Sequence, residues 1–148
     1  MNETHASPSR AETDWLLLLV AWLTVTSASL GSLFFSEVME LPPCSLCWYQ
    51  RVFMFPLVVV LSMGLFPFDP KVVRYALPLS ALGTLVAIYH VLLQAGVIPE
   101  SAAPCSQGVP CSEVDFLLFG FASIPVLSAI AFGAVTAVLF VLYRRSAR

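Results

Sequence analysis

Apolar side chains are gathered in four blocks that are separated by shorter, more polar segments. The blocks comprise residues 15–35, 48–66, 72–95 and 124–143. Each is close to the ~20 residues that a helix needs to cross a ~30 Å hydrocarbon core. A membrane β-barrel would require an alternation of apolar and polar positions, which the chain lacks. The pattern therefore predicts an all-α membrane protein, an antiparallel bundle of four transmembrane helices joined by short loops.

The composition agrees with this fold. Of the 148 residues, 59% are hydrophobic and 11% are charged, which is too apolar for a soluble domain of this length. We expect one four-helix domain over 1–148, with residues 1–14 as a polar N-terminal tail. The first block, with the small residues TSASLG at 26–31, has the alternative of being a cleaved signal peptide. Its length and the lack of net positive charge before it favour a retained span.

Small residues within the blocks predict where helices approach closely. Gly31, Gly83 and Gly133 are three such positions. Because the association of membrane helices depends on close van der Waals contact, we expect a neighbouring helix to pack against each of them.

The seven basic residues predict the orientation of the helices. Arg10 precedes the first block, Lys71 and Arg74 separate the second from the third, and three arginines follow the fourth. The other two connections contain acidic residues but no lysine or arginine. Because cytoplasmic loops are enriched in basic residues, we expect both termini and the middle loop in the cytoplasm. The net charge of -2 gives no indication of nucleic-acid binding.

All four cysteines fall in the two outer loops. Cys44 and Cys47 precede the second block, and Cys105 and Cys111 lie in the second outer loop. Paired cysteines on the oxidising side of a membrane normally form disulfides. For Cys105 and Cys111, a structural staple and a redox pair both remain open. The first pair favours redox chemistry, because a disulfide closing so short a loop restricts the unfolded chain very little.

The segment PPCSLCWYQR, residues 42–51, places chemical groups at the start of a helix. If this helix begins between Cys44 and Cys47, its free amides and positive dipole end favour the thiolate form. Arg51 follows Cys47 by four positions, so its guanidinium lies on the same helical face, one turn deeper. An ionisable side chain within a span indicates a functional site. The alternative for Arg51 is a side chain that snorkels to the lipid headgroups.

His90 is a second ionisable side chain within a span. It precedes the outer end of the third block by roughly seven residues, or about 10 Å, and so lies at a depth similar to that of Arg51. We expect the two side chains to frame a pocket for a flat, lipid-soluble molecule near the thiol pair. The alternative is that His90 makes only an interhelical hydrogen bond.

These features together resemble the DsbB family of bacterial membrane disulfide oxidoreductases, including its shorter relatives called BdbC. The likeness rests on PCSLCWYQR at 43–51, the four spans, the second outer cysteine pair and CSEVDFL at 111–117. It implies a multi-pass protein of the bacterial inner membrane with four catalytic residues, Cys44, Cys47, Cys105 and Cys111. It also implies a bound quinone, either ubiquinone or menaquinone, beside Cys47, with Arg51 and His90 as its binding residues. The implied partner is a DsbA-like protein with a thioredoxin fold.

Thiol–disulfide exchange predicts an order of transfer. The reduced partner attacks the second pair at Cys105, and the freed Cys111 attacks Cys44. Cys47 then leaves as a thiolate beside Arg51, and electrons pass from it to the quinone. One departure from the family affects the middle step, since only five residues separate Cys105 from Cys111. In the best-known members the second pair is far apart in a long loop, so the shorter loop here leaves less room for rearrangement.

Other functions remain as alternatives. An enzyme similar to vitamin K epoxide reductase also uses paired cysteines and a quinone, but its reactive pair lies near the end of a late span. A non-enzymatic membrane protein with two structural disulfides would show no turnover of either pair. A zinc site is disfavoured, because C-x5-C is an unusual ligand spacing and the compartment oxidises thiols. We therefore expect no metal.

Overall fold

The computed structural model describes residues 9–99, 101, 117–118 and 122–146. Four long helices lie within these ranges: α1 (Arg10–Glu37), α2 (Ser45–Leu65), α3 (Val73–Gln94) and α4 (Ile124–Ser146). Each is long and apolar enough to cross a membrane. The predicted all-α fold of four membrane helices is confirmed. Cys105 and Cys111 lie outside the described residues.

Two short elements accompany the helices. A 3-10 turn, Pro70–Val72, leads directly into α3. An antiparallel pair of two-residue strands, β1 (Leu117–Leu118) and β2 (Ala122–Ser123), precedes α4, with Leu117 opposite Ser123. The membrane-crossing part of the fold is therefore entirely helical within the described residues.

The first helix begins before the apolar block, because its start is capped. Ser9 Oγ accepts a hydrogen bond from the Glu12 amide, and the Glu12 carboxylate accepts one from the Ser9 amide, at 3.3 and 2.7 Å. Residues 10–14, predicted as part of a polar tail, consequently form the first turn of α1. Asp14 pairs with Arg145 of α4 at 2.8 Å. This ion pair places the start of α1 and the end of α4 at the same end of the bundle.

The four helices form a ring in chain order. α1 packs against α2 and α4, and α3 packs against the same two helices. The interior is filled mainly by aliphatic side chains and one aromatic ring, including Leu18, Val25, Leu57, Leu61, Leu65, Phe132, Val135 and Leu139. A polar link joins α3 to α4, since the hydroxyls of Thr84 and Thr136 are 2.9 Å apart. Such hydrogen bonds and close packing hold membrane helices together. The hydrophobic effect does not drive their association, because lipid tails are as apolar as the side chains.

The three glycines differ in how closely a neighbour approaches. A Cβ added to Gly83 would overlap the ring of Phe132, which is fully buried on α4. Beside Gly31 and Gly133, no described atom of another element lies within 4 Å of an added Cβ. The prediction of close helix contact therefore holds at Gly83 and is wrong at the other two.

We expect Gly83→Ala to destabilise the bundle by about 1–3 kcal/mol, because the added methyl group overlaps the fully buried ring of Phe132. Gly133→Ala is the matched control. Both substitutions gain the same helix propensity, but only the first creates an overlap. Thermal unfolding in detergent measures the difference. Equal stability of the two variants would contradict the close α3–α4 contact.

Candidate functional site

The thiol pair sits at the first turn of α2. Pro42 and Pro43 hold the preceding chain extended, since proline fixes its own φ and restricts the residue before it. Cys44 is the N-cap, with φ -71° and ψ 169°, and its carbonyl accepts a hydrogen bond from the Trp48 amide at 3.2 Å. Cys47 is three residues further, on the same side of the helix end. The two Sγ atoms, both free thiols, are 3.2 Å apart.

The Cys44 sulfur faces α3. It is 1% exposed and lies 3.8 Å from Nε2 of His90, a side chain with no exposed surface. On the other edge of the same ring, His90 Nδ1 lies 3.2 Å from the Gln50 side-chain nitrogen. His90 thus contacts Gln50 through one ring nitrogen and the Cys44 sulfur through the other.

These contacts favour the ionised form of Cys44. The hydrogen bond with Cys47 is the main cause that lowers the pKa of the Cys44 thiol, and His90 contributes in the same direction. Burial acts against them by penalising the charge.

Arg51 turns towards the inside of the bundle and not towards the headgroups. Its side chain is 7% exposed, and its Nε and Nη2 donate to the hydroxyl and carbonyl oxygens of Ser32 on α1, each at 2.8 Å. The guanidinium also lies over the Trp48 ring, 5.1 Å from its centroid. Among the residues that the structure describes, no carboxylate pairs with Arg51. A buried cation without a counter-ion favours an anion or a polarised carbonyl nearby.

A cavity of about 220 Å³ lies next to this charge, between α1, the chain before α2, α2 and α4. Its walls are mostly apolar, with Phe35, Leu41 and Leu127 among them. One face of α2 contributes four lining side chains at helical spacing, namely Cys47, Gln50, Arg51 and Met54. Cys47 and Arg51 therefore border one apolar space. Gln50 borders it too and contacts His90 on its other side.

The structure brings together four of the predicted site residues, but in two places. Cys47 and Arg51 border the cavity, whereas His90 is not in the cavity wall and packs against Cys44 and Gln50. The expected pocket framed by both Arg51 and His90 is therefore divided. Cys105 and Cys111 lie outside the described residues, so their predicted roles stay predictions.

Two residues of the site were not predicted from the sequence, Ser32 and Gln50. The sequence did offer an indication for Gln50. It is an amide within an apolar span, three positions after Cys47, and such a group must find a polar partner. The sequence offered no indication for Ser32, because α1 contains many serines and threonines. Only the packing of the helices shows which of them contacts Arg51.

Cys44, Cys47 and His90 offer two sulfurs and a nitrogen within 4.8 Å of one another, close enough for a soft metal ion. The same three groups also make the hydrogen-bonded contacts described above, Cys44 with Cys47 and Cys44 with His90.

A four-span membrane protein with a thiolate-stabilising dithiol at the head of a span belongs to the class of membrane thiol oxidoreductases. The chain is a member of the DsbB family, whose model, described as disulfide bond formation protein DsbB, matches residues 13–142. It is 47% identical to probable disulfide formation protein C 2 of Bacillus cereus, over 84% of this chain and 88% of the relative. It is 42% identical to a probable disulfide formation protein of Metapseudomonas resinovorans, over 95% and 98%.

A third relative is disulfide bond formation protein C of Bacillus subtilis, 43% identical over 79% of this chain and 85% of the relative. No solved structure gives a significant match. The chain is thus a multi-pass membrane protein of disulfide-bond formation, with the thiol oxidoreductase activity that this family implies.

Proposed function

We propose that the protein is a thiol:quinone oxidoreductase. It reoxidises a DsbA-like thiol oxidase outside the cytoplasm and passes the electrons to a membrane quinone, ubiquinone or menaquinone. The observation that carries the proposal is the apolar cavity bordered by both the Cys47 sulfur and the Arg51 guanidinium. Apolar walls suit a lipid-soluble ring, the positive charge can polarise one of its carbonyl oxygens, and the cysteine can donate electrons to it.

The residues present fit such a ring. The walls are apolar enough for a lipid-soluble molecule, and Arg51 keeps N–H groups beyond the two that Ser32 occupies. Those groups can donate to a carbonyl oxygen of the ring. When bound, the quinone supplies the two-electron acceptor that exchange among thiols alone lacks.

Four residues of the chain have separate roles in the exchange step, namely Cys44, Cys47, Arg51 and Ser32. An incoming thiolate attacks Cys44 of the Cys44–Cys47 disulfide, the S–S bond breaks, and Cys47 takes the electron pair. The start of α2 and the Arg51 guanidinium stabilise the charge on Cys47. Ser32 holds the guanidinium in place, so its charge is available without reorganisation.

The partner and the orientation belong to the same proposal. Cys105 contacts the partner and Cys111 delivers the disulfide to Cys44, which requires both loops on the outer face. The protein lies in the bacterial inner membrane with both termini in the cytoplasm, as the basic residues favour. The Asp14–Arg145 pair supports a common side for the two termini, since it places the start of α1 and the end of α4 at the same end of the bundle.

Arg51→Ala should lower kcat/KM for quinone by on the order of 10- to 100-fold, because a charge-assisted hydrogen bond in a partly desolvated site is lost. The assay is anaerobic quinone reduction driven by a dithiol substrate. Arg51→Lys should recover only part of the loss, since a point charge does not reproduce the planar fork. Arg74→Ala, at an exposed cytoplasmic position, is the control. Unchanged quinone kinetics in Arg51→Ala would contradict the role of this side chain.

Cys111→Ser should trap a mixed disulfide between Cys105 and a thioredoxin-fold protein, because the thiol that resolves it is gone. Non-reducing electrophoresis followed by peptide mass spectrometry identifies the linked cysteine. The control is Cys105→Ser, which should trap no such complex. A trapped complex that maps to Cys44 would show that the order of transfer is wrong.

A further inference from the structure

The contact between Gln50 and His90 is not used in the transfer of electrons proposed above. Both side chains are buried: His90 has no exposed surface, and Gln50 is 7% exposed. Burying an amide and an imidazole inside a membrane bundle is costly unless the groups satisfy each other. Their 3.2 Å contact does so, and it leaves one ring atom, Nε2, directed at Cys44.

We propose that Gln50 is a positioning residue for the thiol chemistry. It donates to His90 Nδ1 and thereby fixes the tautomer in which Nε2 carries the proton and faces the Cys44 sulfur. His90 then stabilises the Cys44 thiolate, and Gln50 acts only through His90. This inference rests on the proposed function, because it assigns His90 to the exchange half of that reaction and not to quinone binding.

The step that benefits is the release of Cys44 from a mixed disulfide. When Cys111 is bonded to Cys44, the second thiolate of the partner first attacks the partner's sulfur in its disulfide with Cys105, which releases the oxidised partner and leaves Cys105 as a thiolate. The Cys105 thiolate then attacks the Cys111 sulfur. The Cys105–Cys111 bond forms, the Cys111–Cys44 bond breaks, and Cys44 leaves with the electron pair. No proton moves in this step. A leaving thiolate that accepts an N–H from His90 has a lower pKa and leaves faster.

Among the described residues, few other titratable or charged groups lie near Cys44. From α2, the titratable or charged neighbours are Cys47 and Arg51, and Arg51 is held by Ser32. From α3, they are His90 and Tyr89, which packs against the same small cluster. Glu40, in the preceding segment, is exposed. Of these, only Cys47 and His90 have a polar contact with the Cys44 sulfur among the described residues.

The test is a titration of Cys44 in the full chain in detergent, with Cys44 as the only cysteine. Cys47→Ser, Cys105→Ser and Cys111→Ser give this background, and thiolate absorbance at 240 nm follows ionisation. Gln50→Met should raise the midpoint by about one pH unit, as should His90→Phe, because each removes the oriented N–H. In the His90→Phe background, Gln50→Met should add no further shift, since Gln50 acts through His90.

Ser80→Ala is the matched control, a completely buried polar side chain on the same helix as His90 that hydrogen-bonds Thr136. It should leave the midpoint unchanged. An unchanged midpoint in Gln50→Met, or an equal shift in the His90→Phe background, would overturn the proposal.

A second measurement needs no substitution at Gln50. With His5→Ala, His90 is the only histidine, and the shifts of ¹⁵N-labelled imidazole report which nitrogen carries the proton. We expect the Nε2–H tautomer, and the Nδ1–H tautomer would overturn the proposal. Neither measurement uses quinone or a partner protein. A failure of the proposed function would appear separately, as a wild-type protein that does not reduce quinone.

Discussion

The site depends on one buried positive charge that has no carboxylate partner among the described residues. Arg51 lies inside a membrane bundle, where an isolated cation is costly, and two hydrogen bonds to Ser32 hold it there. These bonds tie α1 to α2 at the edge of the cavity and fix the direction of the guanidinium. With the charge fixed beside Cys47, a carbonyl oxygen or a thiolate in the cavity is stabilised without further rearrangement.

The same turn of α2 separates two kinds of chemistry. Cys47 borders the apolar cavity and Arg51, whereas Cys44 is enclosed with His90 and Gln50. A disulfide that must react with a thiol on one sulfur and with an electron acceptor on the other benefits from this division. Gln50 borders the cavity and also contacts His90, which lies on the Cys44 side. The two halves of the site are thus adjacent but chemically distinct.

Much of the fold could be predicted, because a membrane-spanning helix is recognised from the apolar residues within its own segment. No knowledge of contacts between distant segments is needed. The four apolar blocks are sufficient to give four helices, and the spacing of Cys47 and Arg51 gives their common face. The start of α1 was missed because the capping box at Ser9 and Glu12 extends the helix beyond the apolar residues. Ser32 and the division of His90 from Arg51 could not be predicted, since they depend on how α1 and α3 are rotated against α2.

A single anaerobic turnover of the first cysteine pair tests whether this pair passes its electrons to a quinone. The protein with Cys105→Ser and Cys111→Ser, fully reduced and freed of reductant, is mixed with one equivalent of a short-chain ubiquinone. We expect one Cys44–Cys47 disulfide and one quinol for each protein molecule, measured by mass spectrometry and by ultraviolet absorbance. A pair that stays reduced while the quinone remains oxidised would contradict this expectation.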